Sequence, residues 1–173
     1  SRILYKLSET RGKEASGIAV KKSSSIEVFK TDLPAEKFLK RKEFSQIINF
    51  NKQKNGSFIG HTRLVTDGDS NNNENNQPVI NENIVGIHNG IIVNFEDLWD
   101  KHFPNQEHSN LDSAIFFELL NYSLKEKDLA SSLKTIYDEI YGMTTIASFL
   151  GEYNKMFLST NNGSLYYYND ENN

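Results

Sequence analysis

The chain has 173 residues, 37% of them hydrophobic and 24% charged, with a formal net charge of −4 at pH 7, which suffices for one buried core without disulfides or metals. It contains no cysteine, which excludes a disulfide scaffold and thiolate metal sites within these residues, and no apolar run approaches the ~20 residues of a membrane span. The acidic balance and the lack of a basic stripe argue against a nucleic-acid partner, and without a signal-peptide pattern a reduced cytoplasmic setting is expected.

Ile3, Leu4 and Leu7 recur at helical spacing, and Arg11-Gly12 closes that run with a cation and a glycine cap. Apolar and β-branched residues predict strands over 17–20 and 26–31, joined near 22–25. Pro34 opens a helix expected to run to about residue 50, with Phe38, Leu39, Phe44, Ile47 and Ile48 as its apolar positions. Lys21-Lys22 and Lys40-Arg41-Lys42 read as solvated faces. Residues 57–64 read as a buried strand. The stretch 69–83 holds seven asparagines and Pro78, and reads as a loop.

A strand is expected over 84–87, with 91–93 continuing beyond Asn89-Gly90. A short helix over 95–103 carries the lone Trp99. Leu111, Ile115, Phe116, Leu119 and Leu120 mark a helix over 110–124, and Leu129, Leu133, Ile136 and Ile140 another over 127–141. Strands then follow at 143–150, 155–159 and 164–168, separated by turns at 151–152 and 161–163. No repeat or internal boundary breaks the chain. The order of strands, helices and strands predicts a single α+β domain over 1–173, with two sheets between helix layers.

Three places carry candidate chemistry. Asn89-Gly90 between two short strands is a signal for a type I′ hairpin, and local reasoning prefers that reading. The functional alternative is an oxyanion hole built from the Asn89 side-chain amide and the Gly90 N–H, a device in which one donor is typically worth ~10²–10³ in turnover. Arg63 falls at the end of a buried strand, where its guanidinium needs either an internal carboxylate or the carboxylate of a ligand. Asp112 reads locally as an acid in the first turn of a helix, favoured by the macrodipole; its other role would be to pair with a substrate ammonium. Arg11–Gly17 reads as a cap and turn, and His61 and His88 as packed, hydrogen-bonded residues. The four histidines lack the i, i+4 pairing of a metalloprotease helix, so no metal is expected.

Taken together, these segments resemble the class II glutamine amidotransferase domain of the N-terminal-nucleophile hydrolase superfamily. Arg11-Gly12-Lys13-Glu14-Ala15-Ser16-Gly17-Ile18-Ala19 resembles the family's Arg-Gly-x-Asp-Ser-x-Gly-Ile-Ala. Gly60-His61-Thr62-Arg63, followed by Thr66 and Gly68, resembles its Gly-His-Thr-Arg motif. His88-Asn89-Gly90-Ile91-Ile92 with Asp97-Leu98 resembles His-Asn-Gly-x-Ile with a following acidic-Leu pair, and Leu111-Asp112-Ser113-Ala114 loosely resembles Ser-Asp, then Thr or Ser, then Glu, at a helix start.

The resemblance implies a four-layer αββα sandwich of two mainly antiparallel sheets. It implies that Arg63 binds the carboxylate of L-glutamine, with Thr66 and the backbone around Asp67, and that Asp112 binds the ammonium. Asn89 and Gly90 would form the oxyanion hole, with Gly90 also lining the pocket. Glutamine would be hydrolysed to glutamate, and the ammonia passed to a separate acceptor domain or subunit of synthase, isomerase or synthetase type. No cofactor is implied for the glutaminase step.

The departures are Glu14-Ala15 in place of Asp-Ser, Ala114 in place of Glu, Leu64 in place of an aromatic residue, and Asp67 in place of His. The largest concerns the nucleophile, which in the family is an N-terminal cysteine whose own amine serves as base. These 173 residues have none. They are therefore expected to be a fragment without the catalytic strand and the acceptor domain, inactive as they stand. Two competing expectations are an inactive glutamine-binding or scaffolding module of the same fold, and a hydrolase using Ser1.

Overall fold

The computed structural model describes residues 2–22, 25–49, 56–64, 75–163 and 165–166. In chain order the elements are α1 (Arg2–Ser8), β1 (Ala15–Lys21), β2 (Ile26–Thr31), α2 (Ala35–Phe38), α3 (Lys42–Ile47), β3 (Ser57–Arg63), β4 (Val79–Asn81), β5 (Ile84–Ile92), α4 (Phe95–His102), α5 (Asp112–Ser123), α6 (Leu129–Glu139), β6 (Gly142–Leu150) and β7 (Lys155–Thr160). The strands form two sheets, ordered β2-β1-β3 and β4-β5-β6-β7, with every neighbouring pair antiparallel.

Strand alternation explains the layering, since successive side chains point to opposite faces. In β1, Ile18 and Val20 face a cluster with Tyr5, Phe38 and Phe44 from α1–α3. Ala19, between them, faces the other way and meets Ile59, Val85 and Phe149 from β3, β5 and β6. In β5, Ile84 and Ile92 face Ile115, Phe116 and Leu120 of α5, with Trp99 of α4 and Ile136 of α6 completing that core. Helices thus cover the outer face of each sheet, and the inner faces meet. The expected α+β sandwich is the fold that forms.

Several local expectations are overturned. Asn89-Gly90 does not make a hairpin: β5 runs through it and pairs with β6 from Ile84↔Leu150 to Ile92↔Gly142. Nine consecutive cross-strand pairs outweigh a two-residue turn preference. The two-residue turn lies instead at Glu82-Asn83, where Glu82 has φ 46°, and it joins β5 to β4 inside the stretch expected to be loop. The helix expected from Pro34 to about residue 50 is two helices, broken at Leu39–Arg41. Phe38 and Phe44 are six residues apart, which on one helix would point them about 120° apart. The break turns both rings onto Tyr5, at 5.5 and 5.9 Å between ring centroids.

On α1, Ile3, Leu4 and Leu7 are exposed, and Tyr5 is the residue that packs inward. In the strand expected over 164–168, residues 164, 167 and 168 lie outside the described residues, and Leu165 and Tyr166 carry no regular structure.

Phe149 is the largest side chain between the sheets and is 1% exposed. Phe149→Ala should lower unfolding free energy by about 3–5 kcal/mol, the usual cost of emptying a buried phenyl site, as measured by urea denaturation. A loss under about 1 kcal/mol would mean that the sheets do not meet there.

Candidate functional site

One end of the inter-sheet space is polar, and register puts it there. Arg63 pairs with Ala15 and His61 with Gly17, both on the face of β1 that carries Ala19. The strand β3 therefore runs inward from Ile59 through His61 to Arg63. Arg63 is 5% exposed, and its Nη1 donates to Asn76 Oδ1 at 3.0 Å. Its main chain is crowded by the loop after α1. A Cβ at Gly12 would sit 2.7 Å from the Thr62 carbonyl oxygen and 2.8 Å from that of Arg63. Glu14 N–H donates to the Arg63 carbonyl at 3.2 Å, which holds the strand end in place.

Across the space, alternation along β5 puts Asn89 on the same face as Val85 and Ile87. Asn89 and Gly90 are both exposed. Gly90 has φ 149°, and a Cβ there would run into the Met143 carbonyl of β6. Glycine is required at this point by conformation and by space alike.

The third contribution comes from α5. Asp112 is its first residue, and Asp112 Oδ2 accepts from the Ile92 N–H at 2.9 Å. The carboxylate therefore ties the helix start to the end of β5. Ser113 Oγ lies 3.2 Å from Asp112 Oδ1, 2.8 Å from His88 Nδ1 and 3.3 Å from Gln77 Nε2. A hydroxyl has one hydrogen and two lone pairs. Given to Asp112, that hydrogen leaves both lone pairs to accept from Gln77 and from a protonated His88 Nδ1.

These groups converge on one cleft of about 700 Å3 lined by Arg63, Gln77, His88, Asn89, Gly90 and Asp112. Concavities of about 280 and 560 Å3 beside Glu82 and Glu152 present no such arginine–aspartate pair among the described residues. Burial, reinforced by the charge of Arg63 and by that of His88 whenever its ring is protonated, pushes His61 down to about 4. Burial also lowers His88, with the Asp112 carboxylate pulling the other way. Both rings are neutral at pH 7, so the 3.9 Å approach of His88 Nδ1 to Asp112 Oδ2 is not an ion pair.

The cleft thus gathers four of the residues singled out from the sequence: Arg63, Asn89, Gly90 and Asp112. Thr66, Asp67 and Ser1 lie outside the described residues. Gln77, Asn76 and Ser113 were not anticipated. The available signal was an amide standing directly before the proline that ends a polar run, and a hydroxyl beside the aspartate. Among the described residues no cluster of three or more His, Cys, Asp or Glu side chains could hold a metal ion, and no helix is long and apolar enough to cross a membrane.

Residues 61–173 match the sequence profile of the glutamine amidotransferase domain. The chain belongs to that family. This glutamine amidotransferase domain is 37% identical over 133 residues to glutamine–fructose-6-phosphate aminotransferase (isomerizing) of Helicobacter pylori strain J99, a match covering 73% of the chain and 21% of the relative. Its fold is similar to glutamine phosphoribosylpyrophosphate amidotransferase of B. subtilis, solved with ADP and GMP (TM-score 0.71, 21% identity, 91% of this chain and 33% of that one). A structure described as the allosteric regulatory enzyme of purine biosynthesis is similar too (TM-score 0.74, 20% identity, 94% and 34%). The domain therefore spans about a fifth to a third of the proteins it matches.

The depressed His61 makes stability pH-dependent. In the unfolded chain the imidazole titrates near ~6.5, whereas in the domain it does so at about 4. Between these values the unfolded state binds the extra proton, so stability is fully present above ~6.5 and is lost as pH falls toward 4. Urea denaturation of the wild type and of His61→Gln at a series of pH values should show their stability difference moving by on the order of 2–3 kcal/mol across this window. A difference that stays constant with pH would contradict the assignment.

Proposed function

We propose that the cleft binds L-glutamine as the glutaminase site of a class II glutamine-dependent amidotransferase. Arg63 takes the α-carboxylate through its planar fork and Asp112 the α-ammonium. Thr66 and the backbone around Asp67 are assigned to the carboxylate by family resemblance. Asn89 and Gly90 receive the side-chain carbonyl oxygen, which becomes an oxyanion when a nucleophile adds to the amide carbon. Collapse of that adduct releases ammonia, and water then yields glutamate. The ammonia is used at a separate acceptor site in the larger protein, with no cofactor required for the glutaminase step.

The observation that carries this reading is the meeting of Arg63, from the first sheet, with Asp112, from the helix layer of the second, around one cleft with Asn89-Gly90 at its wall. Such a pair recognises the charged end of a free α-amino acid, and a neutral amide donor beside it suits an uncharged side chain. The 173 residues contain no cysteine, so they contribute binding and charge stabilisation and no attacking thiol. That same fact favours a second reading, a glutamine-binding or scaffolding module without hydrolysis.

Isothermal titration of the 173-residue chain should show L-glutamine binding, weakened at least about tenfold by Arg63→Lys and by Asp112→Asn, because lysine lacks the fork and asparagine lacks the charge. An ammonia assay on the same preparation should stay at background. Ammonia release from these residues alone would contradict the assigned division of labour, and variants that bind as well as the wild type would overturn the site. In the longer protein, glutamine-dependent ammonia release would separate the amidotransferase from the scaffolding module.

A further inference from the structure

We propose that Gln77 is a positioning residue for the oxyanion end of the cleft: its side-chain amide replaces a missing strand pair and fixes the backbone that presents Asn89 and Gly90. This rests on the glutamine-binding reading above and adds a residue to it.

The ladder between β4 and β5 runs Asn81↔Ile84, Ile80↔Val85 and Val79↔Gly86. Continued in the same register it would put Gln77 opposite His88. Pro78 has no N–H to give, and the main-chain pairing stops at Val79. The Gln77 side chain continues it. Gln77 Oε1 accepts from the His88 N–H at 2.6 Å, and Nε2 donates to the His88 carbonyl at 3.0 Å. Both main-chain groups of the residue before Asn89 are therefore satisfied by one carboxamide, in the two-bond pattern of a strand neighbour. The second Nε2 hydrogen reaches Ser113 Oγ, next to Asp112.

The segment that carries Gln77 is held by all three strands of the first sheet. From β2, Lys30 Nζ donates to the carbonyls of Asn76 and Pro78 at 2.7 and 3.2 Å. From β3, Arg63 donates to Asn76 Oδ1. From β1, Gly17 leaves room for the Gln77 carbonyl, which a Cβ would strike. Residues 76–78 thus span the gap between the arginine and the oxyanion strand, and Gln77 is the end that grips β5. The spacing between the carboxylate and carbonyl subsites is set through it.

The test pairs L-glutamine with L-norvaline, which keeps the amino-acid head and lacks the side-chain amide. In Gln77→Leu, titrated as the 173-residue chain, glutamine affinity should fall about tenfold while norvaline changes less than about twofold. Gln77→Glu can still accept from the His88 N–H but turns an acceptor toward its carbonyl, so it should shift the same ratio in the same direction. Equal weakening of both ligands, or no change in either, would overturn the proposal.

A ligand-free readout guards against failure of the glutamine reading. Amide hydrogen exchange at Asn89 and Gly90 should speed up about tenfold or more in either variant relative to Ile146 in the core. Unchanged exchange in both would overturn the role of Gln77. A wild-type chain that binds neither ligand would overturn the glutamine reading, and the exchange data would still decide this one.

Discussion

The inner faces of the two sheets must be buried against each other, and most of the structure follows from how unevenly the chain does so. Stacked sheets sit about 10 Å apart, so each inward position contributes to filling one thin gap. Along β3 the inward side chains run from Ile59 to His61 to Arg63; along β5 they run from Val85 through Ile87 to Asn89. The dry half is closed by Ala19, Ile59, Val85 and Phe149. At the other half the same strands carry polar groups that do not interlock, and a cleft opens between sheets that are otherwise in contact. The cavity is a gradient of side-chain polarity written along individual strands.

Placing an arginine in that half constrains its surroundings. A buried guanidinium must be partnered or it destabilises the fold, and Asn76 supplies one acceptor. His61 stays neutral well below its usual range chiefly because it is buried, and the Arg63 charge adds to that by disfavouring a second cation nearby. His88 stays neutral for the same main reason, its burial, even with Asp112 at 3.9 Å. The polar end therefore concentrates hydrogen-bonding capacity without concentrating charge in its imidazoles. Its hydroxyl and amide groups are largely committed to one another, which holds the backbone of β5 in a defined position.

Long-period features of this fold were readable from the sequence. Leu111, just before α5, and four apolar positions on the helix repeat with helical spacing and all five are buried; the strand that became β6 and the turn after it were equally plain. Short-range signals failed where tertiary pairing competed with them. Asn89-Gly90 has the composition of a turn, yet β6 offers a partner on every residue from 84 to 92. The asparagine-rich stretch hides β4 because a three-residue strand is too short to show alternation. The break between α2 and α3 comes from a demand that two phenylalanines reach one tyrosine, which no local pattern contains. Arg63 and Asp112 could be singled out by residue type and family resemblance. Gln77 was missed because its partner is main chain eleven residues away, and the amide before Pro78 was the one mark it left in the sequence.

Gly12 shows how little slack this arrangement has. Only hydrogen fits between its Cα and the main chain of Thr62 and Arg63, and the adjoining Glu14 is bonded to the same strand end. The connection from α1 to β1 therefore behaves as a rigid spacer wedged against the root of the guanidinium. A force applied to the first helix would be passed on by direct contact, making the arginine's aim a mechanical property of a segment that lies outside its own sheet.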